Sequence, residues 1–397
     1  MAVHENRQAA DGHGIRVLHA FKVYKPHRGG VISAMDELVH AWDDVDSTIL
    51  ACISGQGFGE RLDDDGVPVH KAGSFGHLMS MPLSPSFPFM FWQRARRTDV
   101  VAYHYPFPLI DLAVATHFPR DTGLVIHWHS EIVHQRAVAR LLQPFMRRCL
   151  ARADRVIVST PAHIEISPLL AAVREKCDVI PFGVDSDEWQ LEDAQIDAEW
   201  KGLEPFFLAA GRLVPYKGFD VLLDALAQTD ARLVIVGAGP QSRELRQQAE
   251  NLGISDRVRF MGGVDRHTLR CLMNVCRAFL LPSVSPNETF GIVQLEAMSC
   301  GKPIINTDTH PGIGWVARDG QEAITVRAGN VPELAAAIRK LWNDPALAGQ
   351  LGSNGARRVR ESFSRQQFTA KVRQVYEDVA RKPRQQRDSR MHRQGPE

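Results

Sequence analysis

LLPSVSPNETFGIVQLEAMSCGKP, residues Leu280 to Pro303, is the stretch that decides the reading of this chain. The apolar run Ala278 to Leu281 has the character of a buried strand end. Pro282, Ser283, Ser285, Pro286 and Asn287 then break any regular structure. Ile292, Val293, Leu295 and Met298 recur at helical spacing within Gly291 to Ser299, and Thr289 stands where a cap belongs. The order is strand, loop, helix, with two carboxylates, Glu288 and Glu296, eight positions apart. That separation is about 12 Å along a helix axis. Groups so placed cannot share a proton or attack and protonate one bond. They can grip the two ends of a long polyhydroxylated ligand, while the free N–H groups that open the helix face a phosphate between them.

The same order repeats upstream. Phe206 to Ala210 reads as a strand, Gly211 and Arg212 follow it, and Lys217 and Gly218 precede a helix from Phe219 to Ala227. Two cations between a strand end and a helix N-terminus lie where a diphosphate would need its charge neutralised. The strand Arg232 to Val236 runs into Gly237-Ala238-Gly239-Pro240 and a polar helix. Further units follow at Val258, Arg266 to Val275, Pro303 to Asn306 and Pro332 to Trp342. Repeated βα units predict a doubly wound parallel sheet.

The N-terminal half repeats the pattern with weaker signals. Ile15 to Phe21 reads as a first strand, followed by Gly29, Gly30 and an amphipathic helix; the glycine pair lets backbone approach a ligand closely. Short strands are expected at Ser47 to Ile53 and Val67 to Lys71. Asp63, Asp64 and Asp65 ahead of Gly66 are expected to make a solvated turn rather than a metal-binding pair. Asp99 to His104 and Gly123 to His129 are two buried strands that each end in histidine, and ligand sites in open α/β sheets lie at strand carboxyl ends. His127, His129 and His134 are alternative metal ligands, but no cluster of acids accompanies them.

Taken together, these elements resemble the retaining glycosyltransferases of family 4, also called glycosyl transferases group 1, which have the GT-B fold. The Glu-x7-Glu spacing carries the resemblance, with Gly29-Gly30, His104 leading into Tyr-Pro, His129, Gly211-Arg212, Lys217-Gly218, Gly237-x-Gly239 and Phe290-Gly291 in the family's order. One departure is Phe182, which stands where the family's hinge-side element usually has Asn. The resemblance implies an α/β protein of two Rossmann-like doubly wound domains facing a central cleft. It implies that Arg212 and Lys217 bind the donor diphosphate and that Glu288 holds the transferred sugar, aided by N–H groups near Phe290, Gly291 and Ile292. Glu296 would hold the ribose hydroxyls, His129 would meet the sugar from the other domain, and Gly29, Gly30, Gly237 and Gly239 would line the donor site. No metal or cofactor is expected, because fixed cations and a helix N-terminus supply the charge stabilisation. The segments HWHSEIV and CDVIPFGVD resemble bacterial mannosyltransferases that take GDP-mannose and act on a saccharide or lipid-linked acceptor. A UDP-sugar donor stays open. The other readings are a metal-dependent hydrolase using His127 and His129, and a sugar-nucleotide-binding protein without catalysis.

Composition bounds the rest. A chain of 397 residues is long enough for two domains, and 44% hydrophobic with 23% charged residues is the balance of a globular protein. A net charge of +1 gives no reason to expect nucleic acid, and the six scattered cysteines read as reduced thiols. No apolar run approaches the roughly 20 residues that span a bilayer. The expected organisation is a disordered lead-in 1–14, an acceptor-side domain 15–185, a polar linker 186–204, a nucleotide-sugar domain 205–362, a helix 363–380 crossing back to the first domain, and a disordered basic tail 381–397. The expected location is the cytoplasm, with peripheral attachment to the inner face of an anionic membrane. Two segments motivate the attachment: Phe87 to Trp92 running into Arg94, Arg96 and Arg97, and a basic amphipathic helix around Arg140 to Arg152 that Pro144 should kink. Core packing would explain both equally well.

Overall fold

The computed structural model describes residues 14–25, 27, 29–54, 60–78, 81–130, 136–203 and 205–381. The expected lead-in up to residue 13, His134 and the basic tail from residue 382 lie outside the described residues. Continuous apolar runs such as Val100–Tyr105 and Gly123–Trp128 are buried along their whole length, as parallel strands covered on both faces must be. The first sheet takes β1 (Arg16–Ala20), β2 (Asp46–Ser54), β3 (Glu60–Asp64), β4 (Val67–Ser74), β7 (Val100–Tyr105), β8 (Gly123–Trp128), β9 (Arg155–Val158) and β10 (Cys177–Val179). A two-stranded ribbon, β5 (His77–Leu78) with β6 (Met81–Pro82), stands apart. The order of the first sheet is β10-β9-β8-β7-β1-β2-β4-β3, parallel except for β3. The second sheet contains β11 (Phe207–Ala210), β12 (Leu233–Val236), β13 (Val258–Gly262), β14 (Ala278–Leu281), β15 (Ile304–Thr307) and β16 (Ala323–Val326). Its order is β13-β12-β11-β14-β15-β16, all parallel.

In both sheets the strand order reverses beside the first strand, between β1 and β7 and between β11 and β14. Ligands of such sheets bind outside the carboxyl ends at these reversal points. The loops after β1, β11 and β14 carry Gly29-Gly30, Arg212-Lys217 and Glu288, so topology puts the first at the reversal point of one sheet and the other two at that of the second.

The helix Arg365–Ala380 closes the first sheet. Its Phe368, Val372, Tyr376 and Val379 pack on Val17, Val100, Ala102 and Val125. Burying apolar side chains of this size contributes roughly 1.5–3 kcal/mol each. Gly123 leaves room for it: a Cβ there would stand 2.2 Å from Val379 Cγ1. At the helix start Arg365 binds Glu37 of the first domain at 2.6 Å and Glu188 at 2.7 Å.

Two expectations need correction. Residues 186–203 are not a loose polar linker. They form the short helices Ser186–Trp189 and Ala198–Lys201, whose Trp189 and Trp200 are buried in the core of the second domain. Asp63 and Asp64 end strand β3, and the turn of the β3–β4 hairpin falls on Asp65-Gly66. Asp63 accepts from Gly66 N–H at 2.7 Å, whereas Asp64 is half-buried and held by Tyr24 and Lys25. Of the aromatic run in the helix Ser86–Ala95, Phe87, Met90 and Phe91 are core; Phe89 is exposed. Pro144 lies within the helix Arg136–Arg152 without ending it.

Candidate active site

The C-terminal wall of the cleft is built from two loops locked together. Gly218 has a left-handed backbone, φ 68°, and a Cβ on it would sit 2.1 Å from the carbonyl oxygen of Pro282. Only glycine allows that approach. Val284 N–H donates to the carbonyl of Tyr216 at 2.9 Å, stitching the same pair of loops. Between them Lys217 and Glu288 form an ion pair, with Ser283 Oγ donating to the same carboxylate at 3.3 Å. Burial pulls the Lys217 ammonium down, but Glu288 outweighs it and the group is held above its ordinary value. Arg212 is exposed on the same loop. Sequence reasoning put the two cations on one loop; it did not show that one of them is already neutralised.

The helix Ile292–Ser299 opens at Gly291, which has φ 67° and caps it through backbone alone. Thr289 is therefore not the cap. Its hydroxyl instead donates to the carbonyl of His129, 2.9 Å away in the other domain. Beneath Phe290-Gly291 a buried polar network holds the turn. Gln294 donates to the carbonyl of Phe290 at 3.0 Å and accepts from Asn306 at 2.9 Å. Glu296, two turns into the helix, stands apart from Glu288. Burial pushes its carboxyl up to about 7, with Arg266 opposing and Glu37 and Glu188 reinforcing the rise. Gly237 and Gly239 have a packing reason of their own: a Cβ on either would strike the carbonyl oxygen of Gly211 or Leu213, at 1.8 and 2.3 Å. They press the β12 loop against the backbone that carries Arg212.

The N-terminal wall meets this surface closely. Gly30 is the first residue of the helix Gly30–Val39, and a Cβ on it would lie 3.2 Å from Ile292 Cδ1. The first turns of two helices, one from each domain, thus come into contact, and a helix N-terminus favours an anion. Lys22, in the loop after β1, joins them. Burial, and then the charge of Arg212 in the other domain, lower its pKa. Lys22 was missed from sequence; a lysine directly beyond the first strand was its only signal.

His129 lies at the carboxyl edge of β8, buried, stacked on Phe182 with ring centroids 5.9 Å apart. Phe182 also meets Phe290 edge-on at 5.1 Å. The residue that departs from the family's Asn is thus an aromatic strut between the two walls. His104 lies behind His129 at 3.1 Å, and His127 Nε2 pairs with Tyr376 OH at 2.8 Å. All three ring nitrogens in these two bonds are already engaged.

Residues 29–183 match the family described as Glycosyl transferase 4-like domain, and residues 192–358 match Glycosyl transferases group 1. The chain is 35% identical to the D-rhamnosyltransferase WbpZ of Pseudomonas aeruginosa, covering 88% of this chain and 92% of that one. It is 30% identical to the O-antigen chain mannosyltransferase C of Escherichia coli, covering 88% and 95%. Among solved structures, Anabaena HepE in complex with UDP and glucose superimposes with a TM-score of 0.75 at 22% identity, over 92% of this chain and all of that one. That likeness is one of fold.

Proposed function

The chain belongs to the group 1 glycosyltransferases and has their GT-B fold, and we propose that it transfers mannose from GDP-mannose, with retention, to a saccharide or lipid-linked acceptor in surface-polysaccharide or glycolipid assembly. The observation that carries this reading is the contact of the Gly30 and Ile292 helix starts beside a loop that holds Arg212 and the Lys217–Glu288 pair, with Lys22 near enough to feel the charge of Arg212. A nucleoside diphosphate fits such a charge pattern, and the same groups would stabilise it as it leaves. Glu288 lies beside the diphosphate cations and would hold sugar hydroxyls. Glu296, farther along the helix, would hold the ribose. Reaction on one face, with the leaving phosphate helping to deprotonate the acceptor, suits a site whose two carboxylates do different work. The manno configuration is supported by the two relatives, since D-rhamnose is 6-deoxymannose.

A UDP-sugar donor is the second reading, favoured by the fold neighbour that binds UDP. A thermal-shift screen of GDP, UDP and ADP and their sugars separates the two, because a selective ligand stabilises the native state by mass action. The expected result is a shift with GDP and GDP-mannose. The anomeric configuration of the product, read by proton NMR, tests retention.

Among the described residues no helix is long and apolar enough to cross a membrane. Peripheral attachment through the first domain is supported by Phe75, Leu83 and Phe89, which are exposed; the first two share a backbone hydrogen bond of 2.9 Å. Arg94, Arg96 and Arg97 follow at the end of the helix that bears Phe89. A lipid-linked acceptor would be presented at such a surface.

A further inference from the structure

Four histidines lie on one face of the first sheet, the face covered by the helix Arg365–Ala380. The β-register shows how they are ordered. His19 on β1 is level with Ala102 on β7, His104 is level with His127 on β8, and His129 comes one residue beyond the last paired position, Trp128. His19, His104 and His129 therefore climb diagonally across three neighbouring strands to the carboxyl edge. Their rings are joined: His19 Nδ1 to His104 Nε2 at 3.2 Å, and His104 Nδ1 to His129 Nε2 at 3.1 Å. The His104 and His129 rings are nearly coplanar in tilt, 3° apart. Phe182 covers His129 on another side. The two ends of the chain, His19 Nε2 and His129 Nδ1, are buried without a hydrogen-bond partner among the described residues.

Burial keeps the rings neutral. It presses His19 and His127 down to about 3, and holds His104 and His129 well below the ordinary imidazole value, with Lys22 among the charges that oppose an imidazolium at His129. A neutral imidazole has one donor and one acceptor. The chain can then run in only two directions. If His129 donates inward, the orphan N–H falls on His19 Nε2, deep under the sheet, where no ligand reaches it. If His19 donates outward, the orphan N–H falls on His129 Nδ1, itself buried but on the residue at the cleft end, so that a donor sugar settling against His129 would be its acceptor. Each direction leaves one N–H and one acceptor unpaired, and only the second puts the N–H at the end that a bound donor would meet, which selects it.

We propose that His104, with His19 behind it, is a positioning residue: the two imidazole–imidazole hydrogen bonds fix His129 with its proton on Nδ1, so that the cleft end of the chain presents an N–H donor to the oxygens of the bound sugar nucleotide. The inference rests on the reading of His129 as a residue that faces the donor. His104 and His19 act only through His129 and touch no substrate.

The wild-type protein, labelled with nitrogen-15 at histidine, tests this without any substitution. Long-range proton–nitrogen correlation reports which ring nitrogen is protonated, and the His129 signal is identified by its loss in His129→Gln. The expected pattern is Nδ1–H for His129; Nε2–H, or a mixture of tautomers, overturns the proposal. Two variants then separate positioning from bulk. An asparagine amide overlays Nδ1 of histidine and a glutamine amide overlays Nε2. His104→Asn keeps the bond to His129, while His104→Gln keeps only the bond to His19. With GDP affinity as the check that both remain folded, His104→Gln is expected to lower kcat about 10–100-fold with little change in donor KM, and His104→Asn to restore most of it. Equal kcat in the two variants overturns the proposal. Unimpaired transfer by His129→Gln would instead overturn the reading of His129 on which it rests, whatever the tautomer.

Discussion

The two walls of the cleft are made by opposite means. The C-terminal wall is charged and local: Arg212, Lys217, Glu288 and Glu296 come from two loops and one helix at a single strand reversal. The N-terminal wall is mostly uncharged and dispersed: its histidines come from three strands, are buried, and are kept neutral by that burial. A charged wall is suited to holding a diphosphate in place. A neutral, hydrogen-bonded wall is suited to orienting a sugar without competing for that charge. The difference teaches that electrostatic capture and orientation can be assigned to different domains, which meet at Thr289–His129 and Phe182–Phe290.

Lys217→Ala gives the largest expected effect. It removes a cation proposed to face the diphosphate and leaves Glu288 without its charge partner, so transfer should fall about 10²–10³-fold. Arg212→Ala removes an exposed cation whose side chain has no hydrogen-bond or ion-pair partner among the described residues. It should weaken GDP by about 10–100-fold, the worth of a charge-assisted hydrogen bond, and leave the melting temperature unchanged. Calorimetric GDP titration and initial rates measure both. Equal loss of stability in the two variants would show that the charged wall is not divided between a paired and a free cation.

Glu288→Gln and Glu296→Gln come next. The first should cut turnover about tenfold or more while GDP affinity is kept or raised, because Lys217 is released from its carboxylate partner. The second should weaken bare GDP about tenfold, through the ribose. Loss of GDP affinity in both to the same degree would erase the division of labour between them.

The charged wall was legible because its residues are consecutive. A strand end, a breaker-rich loop and a helical period around Glu288 and Glu296 can be read in one window. What could not be read there is pairing at a distance: Lys217 and Glu288 are 71 positions apart, and Thr289 finds His129 across 160. Thr289 looked like a cap because its hydroxyl is the right kind of acceptor. A left-handed Gly291 closes the helix start instead and releases Thr289 to bridge the domains. On the neutral wall each histidine was visible as a strand end, but nothing local says that three strands set them in register. Residues 186–203 misled through composition, since polar and acidic residues outnumber the two tryptophans that anchor the segment.

A pH series separates the walls further. Glu296 has a folded pKa of about 7, above its unfolded value of about 4.3. The folded state therefore binds the proton more tightly than the unfolded state. Its contribution to stability is full below about pH 4.3 and is lost as pH rises through about 7. The ionised carboxylate is the better acceptor for ribose hydroxyls, so GDP affinity should rise several-fold from about pH 6 to 8, and Glu296→Gln should flatten both trends. The histidine wall, neutral throughout this range, should add no step. A second titration near neutrality that persists in Glu296→Gln but vanishes in His129→Gln would contradict that neutrality.

The smallest effect tests whether the two walls work in contact. A methyl group on Gly30 would lie 3.2 Å from Ile292 Cδ1, so one side must yield by a few tenths of an ångström. Gly30→Ala should lower kcat about two- to fivefold, since a shift of this size costs about 1 kcal/mol or less. Ile292→Ala removes the atom that the new methyl meets. Added to Gly30→Ala, it should recover most of the loss, because residues in direct contact couple while distant ones add. GDP affinity should stay constant across the cycle if the contact belongs to closure and not to nucleotide capture. Strict additivity of the two changes in kcat would mean that Gly30 and Ile292 are not in contact in the working state, and that the two walls act without touching at this point.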